Sequence, residues 1–178
     1  MKFRTDDGRF GLIIESAIIV RLLQICREAG TVETGGILVG RYTPKHDNAI
    51  VTDVSGPPPD SKKQAGGFSR GIKGLQRWLN RLWFGKREYY LGEWHFHPFA
   101  SAVASGTDMK QLRDFSQDSL LRCPEPVMLI IGGDPSSNWT LNAYVSPKNE
   151  CVREMQPVNE GGASDARKLR ETEWILLG

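Results

Sequence analysis

Two of the chain's three histidines stand two residues apart in Gly92-Glu93-Trp94-His95-Phe96-His97-Pro98, and Ser105 and Asp108 follow closely. Apolar Trp94 and Phe96 alternate with the histidines, as expected of a half-buried strand. On a strand, residues i and i+2 share a face, so His95 and His97 point the same way. Pro98 has no N–H and should end the strand. Two imidazoles and the nearby Asp108 carboxylate are three donors of the kind zinc accepts. Catalytic zinc sites use three such ligands and leave a fourth position for water.

Hydrolysis at such a metal also needs a general base. Glu93 shares the parity of His95 and His97 and so lies on their face. Glu33 is the rival, just before Thr34-Gly35-Gly36, where backbone can approach a site closely. Spacing alone leaves that choice open. Ser105 and Asp108, at i and i+3, read as a helix start with a capping serine and an acidic first turn. That role is compatible with Asp108 as a ligand. His46 lies in a polar connection and reads as a surface residue. The deaminase signature fails, because no Pro-Cys-x-x-Cys is present, and HExxH is absent.

Positioning these residues requires elements before and after the histidine strand. Residues 15–29 read as a helix capped by Ser16 and stopped by Gly30, with Ile18, Leu22, Ile25 and Cys26 as its apolar stripe. Strands are expected at 10–14, 33–40, 49–54, 88–97, 127–131 and 139–145. Residues 56–67 should be an exposed loop. A second helix is expected over 69–84, with Arg70, Lys73, Arg77 and Arg81 forming a basic stripe opposite Ile72, Leu75, Trp78, Leu79 and Leu82. A third, over 105–121, turns Met109, Leu112, Phe115 and Leu120 to the core. The result is one mixed sheet covered by helices, spanning residues 1–146, with 147–178 as a tail holding a short helix near 164–177.

The whole chain sets the bounds. With 178 residues it has the length of one well-buried domain, and 39% apolar and 25% charged residues suit a soluble globular protein. A net charge of +2 gives no reason to expect nucleic acid. Cys26, Cys123 and Cys151 are odd in number and lack paired spacing, which fits a reducing compartment. With neither a leader nor a membrane span in the pattern, a cytoplasmic location is expected.

His95-x-His97-Pro98, six residues, then Ser105-x-x-Asp108, with Glu33 upstream in Val-Glu-Thr-Gly-Gly-Ile-Leu-Val-Gly, resembles the JAMM (MPN+, JAB-domain) metalloproteases, and most of all their compact prokaryotic branch. The resemblance implies an α/β MPN fold, a mixed sheet sandwiched by helices with cytidine-deaminase-like layering. It implies Zn²⁺ held by His95, His97 and Asp108. It selects Glu33 as the general base, leaves Glu93 a supporting role, and makes Ser105 a hydrogen-bond donor to the oxyanion. The implied reaction is hydrolysis of the amide bond after the C-terminal tail of a ubiquitin-like protein or similarly conjugated target, reversing conjugation in a bacterial antiphage system. The alternatives are processing of a sulfur-carrier precursor and a non-catalytic MPN scaffold; no nucleic acid or membrane partner is implied.

Overall fold

The structure, a computed structural model, describes residues 1–64 and 67–158. Its elements run β1 (Lys2–Arg4), β2 (Gly11–Ile14), α1 (Ser16–Ala29), β3 (Thr34–Tyr42), β4 (Asn48–Val54), β5 (Lys62–Gln64), β6 (Gly67–Ser69), α2 (Leu75–Lys86), β7 (Tyr89–Pro98), α3 (Gly106–Gln117), β8 (Val127–Gly133), β9 (Trp139–Val145) and β10 (Arg153–Pro157). The sheet is mixed and closes on itself in the order β1-β10-β9-β8-β7-β3-β4-β2; β5 and β6 form a separate hairpin. The pairs β2–β4 and β7–β8 are parallel and the other pairs antiparallel. The β7–β8 connection passes through α3, since parallel neighbours need a crossover.

The core follows from strand parity. Trp94 and Phe96 of β7 join Leu129 and Ile131 of β8, Leu38 of β3 and Val51 of β4 in the largest buried cluster, which α1 completes with Ile18, Ile19, Leu22 and Cys26. The opposite face of β8 turns Met128 and Ile130 to Leu112 of α3. β8 is therefore apolar on both faces, which explains its unbroken Val-Met-Leu-Ile-Ile run. Fully buried Trp94 satisfies its indole by donating to the Ser55 carbonyl at 3.0 Å, tying β7 to the end of β4. Parity changes at Gly92, where φ is +149° and the register with β3 shifts. A Cβ there would lie 1.8 Å from the Val127 carbonyl oxygen, so no other residue fits.

Several expectations change. α1 is capped by the backbone at Glu15 with no side-chain hydrogen bond, so Ser16 is its first residue and not its cap. The loop expected over 56–67 contains β5 and leads into β6. α2 starts only at Leu75, because Gly74 sits in the left-handed region and Ser69 belongs to β6. Ile72 is accordingly exposed, and Arg70 leaves the basic stripe altogether. α3 ends at Gln117, which puts Leu120 in solvent rather than in the core. Residues 153–157, expected in the tail, form β10 between β9 and β1. The helix expected near 164–177 lies outside the described residues. Among the described residues no helix is long and apolar enough to cross a membrane.

Candidate metal centre

β7 and α3 bring the expected ligands together. Ser105 caps α3 by accepting from the Asp108 N–H at 3.2 Å, while Asp108 Oδ2 accepts from the Ser105 N–H at 2.7 Å. This capping box fixes both side chains on the first turn. Asp108 Oδ1 lies 2.9 Å from His95 Nδ1, and Oδ2 lies 3.8 Å from His97 Nε2. His97 Nδ1 is 3.4 Å from the Ser101 carbonyl oxygen; a hydrogen donated there leaves the Nε2 lone pair free on the Asp108 side.

Room for His95 comes from β3. Gly35 is its partner across the β3–β7 ladder, and a Cβ on Gly35 would meet the Trp94 carbonyl oxygen at 2.4 Å and Phe68 at 2.9 Å. Phe68 of β6 stands edge-on to the His95 ring, 5.9 Å between centroids. The register pairs Thr34 with Phe96 and Gly35 with His95. Glu33 lies just before β3, one residue ahead of Thr34, and is only half-buried.

Glu93, on the face of β7 that carries His95, is fully buried. Its Oε1 takes the Arg70 guanidinium at 2.8 Å from Nε and 2.6 Å from Nη2. Its Oε2 is 3.4 Å from Gln111 Nε2 of α3 and 3.7 Å from His95 Nε2. Sequence reasoning missed Arg70, Gln111 and Phe68. The parity of Glu93 is the one signal that a buried cation had to be found for it.

Burial of the His95 ring opposes its charge, but the hydrogen bond with Asp108 and the negative charges of Glu93 and Asp108 outweigh that and lift its pKa from 6.5 to about 9. Burial likewise opposes ionisation of Asp108, yet bonds from His95 and Ser105 bring its carboxyl down to about 2. His95 Nδ1 and Asp108 Oδ1 thus face one another as a hydrogen-bonded pair. Among the described residues no three His, Cys, Asp or Glu side chains already face a common point as a ligand set.

The donors nevertheless fit a metal. Two imidazoles and a carboxylate are a donor set of the kind zinc accepts, and Asp108 lies 2.9 Å from one ring and 3.8 Å from the other. The buried His95 Nε2 has no hydrogen-bond partner, so the chain leaves one of its ring nitrogens unserved.

The chain belongs to the prokaryotic homologs of the JAB domain, whose family model matches residues 15–143. Membership in that family implies a bound metal. Among curated proteins the chain is 36% identical over 156 residues to a CD-NTase/cGAS isopeptidase of Enterobacter hormaechei subsp. hoffmannii, covering 88% of this chain and 86% of that one. It is 28% identical over 135 residues to the probable metalloprotease y4qB of Sinorhizobium fredii, covering 74% and 81%. A CD-NTase/cGAS isopeptidase of Escherichia coli is 29% identical over 134 residues, covering 73% and 75%. The solution structure of protein DSY2949 from Desulfitobacterium hafniense shares the fold, with a TM-score of 0.61 at 18% identity over 86% of this chain and 95% of that one.

Proposed function

We propose that this chain is a zinc-dependent isopeptidase that hydrolyses the amide bond after the C-terminal tail of a ubiquitin-like protein or similarly conjugated target, and that it reverses such conjugation in a bacterial antiphage system. The placing of Asp108 2.9 Å from His95 and 3.8 Å from His97 is the observation that carries it. Two relatives named CD-NTase/cGAS isopeptidase support the substrate class. The expected compartment is the cytoplasm.

His95, His97 and Asp108 would hold the zinc. When bound, zinc supplies Lewis acidity, polarising a carbonyl and acidifying a water near neutral pH. Glu33 takes a proton from the attacking water as the oxygen bonds to the carbonyl carbon. It then delivers that proton to the amide nitrogen as the C–N bond breaks, so the amine departs neutral. Ser105 donates its hydroxyl hydrogen to the oxyanion. Its cap to Asp108 uses an oxygen lone pair, so the two roles do not compete. Water is the nucleophile, and no covalent enzyme intermediate is required.

The substrate's tail must reach this face from solvent. The β5–β6 hairpin, with Phe68 against His95, and the 99–104 loop, with exposed Phe99 and Val103, border the site. Either can receive an extended peptide as an added strand.

Glu33→Gln tests the reading. Purified protein should contain about one zinc per chain and cleave a ubiquitin-like fusion or conjugate. Glu33→Gln should keep the zinc and lose roughly 10²–10⁴-fold in kcat/KM, the span of a general base. Zinc-loaded protein that cleaves no ubiquitin-like tail would end the proposal.

A further inference from the structure

We propose that Phe99 is a specificity-determining residue, whose ring meets an apolar side chain of the substrate's tail a few residues before the scissile amide. The inference rests on the isopeptidase reading above and adds to it which tails the site prefers.

Phe99 stands two residues past His97 and has φ +57°. A bulky L residue rarely adopts this left-handed conformation, because its Cβ crowds the backbone; glycine or asparagine is the usual occupant. The ring gives the fold little in return. Phe99 is 68% exposed and belongs to none of the buried clusters among the described residues. Strained residues of this kind collect at active sites and ligand clamps, and they persist where the surrounding structure over-determines them.

The 99–104 loop is held in that way. The Phe99 N–H donates to the Gly133 carbonyl at 3.1 Å, and the Ala100 N–H to the His97 carbonyl at 3.3 Å. Gly132, the ladder partner of His97, lets the loop lie directly on β8. A Cβ there would come within 2.4 Å of the Ala102 nitrogen and 2.6 Å of the Ala100 oxygen. Ala102 is buried with Leu112, Met128 and Ile130, and the Ala104 N–H donates to the Tyr144 hydroxyl at 3.3 Å. The loop is thus pinned at both ends and in the middle. The two large side chains it leaves outside are Phe99 and Val103, the latter 59% exposed. Its sequence, Phe-Ala-Ser-Ala-Val-Ala, carries no charge, so it offers a passing chain an apolar shelf and no ion pair.

What covers the shelf follows from where it lies. It joins the histidine strand to Ser105, and its Ser101 carbonyl oxygen is 3.4 Å from His97 Nδ1. An extended tail advances about 3.3 Å per residue. A tail that runs along this loop with its amide at the histidines therefore sets one of its nearby residues on Phe99. An apolar side chain gains there by leaving water against the ring, whereas a carboxylate loses water and finds no partner.

The test uses the full zinc-loaded chain and ubiquitin fused through its C-terminal tail to a fluorescent reporter. Each of the five residues preceding the tail's last one is set in turn to Leu or to Asp. Wild-type protein should prefer Leu over Asp at one of these positions by about tenfold in kcat/KM, the low end of what a hydrophobic contact contributes to discrimination. Phe99→Gly should erase that preference by raising KM for the Leu fusion while keeping kcat, the mark of a lost binding contact. Glycine suits φ +57°, so the same variant should hold or raise Tm. Phe99→Tyr, which keeps the ring, should keep the preference.

A ring that only supports the fold would lower Tm in Phe99→Gly and affect every fusion alike, which would overturn the proposal. If wild-type protein cleaves no fusion of the panel, the isopeptidase reading falls and this inference with it. If it cleaves them without preferring Leu, or if Phe99→Gly leaves the preference intact, only the role of Phe99 is overturned. A dimer of this chain that Phe99→Gly disperses, with the preference unchanged, would assign the ring to a second copy and overturn that role as well.

Discussion

Arg70 and Glu93 meet where water hardly reaches, whereas Arg9, Glu150, Arg153 and Asp7 meet at the surface where the two ends of the described chain come together. In the first pair the carboxylate is wholly buried and the arginine nearly so. In the second group every side chain is at least 30% exposed. Both join segments distant in sequence. Arg70 ties the β5–β6 hairpin to β7, and the surface group ties the β1–β2 turn to the approach and start of β10, beside the β1–β10 pairing that closes the barrel. Geometry does not separate them, since Arg9 grips Glu150 through two bonds of 2.9 and 3.0 Å. Burial does. A buried charge has no solvent to fall back on, so losing its partner is costly, whereas an exposed charge returns to water.

Cutting the buried pair should produce the largest stability effect. Glu93→Ala strands the Arg70 guanidinium and opens a gap beside His95, and a loss of about 3–5 kcal/mol is expected from breaking a buried pair. Urea unfolding measures it; a loss under ~1 kcal/mol would put Glu93 in the same class as a surface carboxylate. A smaller effect should come from the packing that lets the hairpin approach. Gly35→Ala would push a methyl against the Trp94 carbonyl and Phe68. Overpacking of that kind costs about 1–3 kcal/mol. Since backbone is the obstacle, hydrogen exchange at Thr34 to Ile37 should accelerate along with the loss of stability.

The same contrast explains what could be read in advance. His95, His97 and the Ser105–Asp108 cap were legible because strand parity and helix capping are local rules, and the structure obeys both. Local apolar patterns likewise marked β3, β4, β7, β8 and β9. β1 and β10 were not legible. They span three and five residues, and their partners lie at opposite ends of the chain, Phe3 against Pro157. β5 and β6 are three residues each in a stretch rich in Pro, Gly and Lys, so composition hid the hairpin.

Arg70 shows why a charge stripe misleads. Helical spacing set it beside Lys73, Arg77 and Arg81, but Gly71 and Gly74 delay the helix. Gly71 packs against Asp60, which also holds the turn before the helix by accepting from the Ile72 and Lys73 N–H groups at 3.1 and 3.0 Å. The side chain thereby freed turns inward to a carboxylate that only tertiary structure brings near.

At the barrel seam the smallest change is expected, and its pH dependence can be signed. Glu150 is held below the ordinary carboxylate range first by the hydrogen bond from Arg9, with Arg153 contributing less. Asp7 is lowered chiefly by the Thr5 hydroxyl and the Arg9 backbone N–H, so its local turn matters more than Arg153. Arg9→Ala should therefore act mainly through Glu150, since the backbone N–H that serves Asp7 remains. A carboxylate with a depressed folded pKa adds stability above its unfolded value, near 4.3 for glutamate, and loses it as pH falls through the folded pKa. The difference in Tm between wild type and Arg9→Ala should be small at neutral pH and vanish in acid below that range. Added salt should shrink it at neutral pH, because both partners face solvent. A gap that persists in acid would mean that Arg9 acts through its stacking over Phe10, 4.9 Å from the ring centroid, and not through the carboxylate.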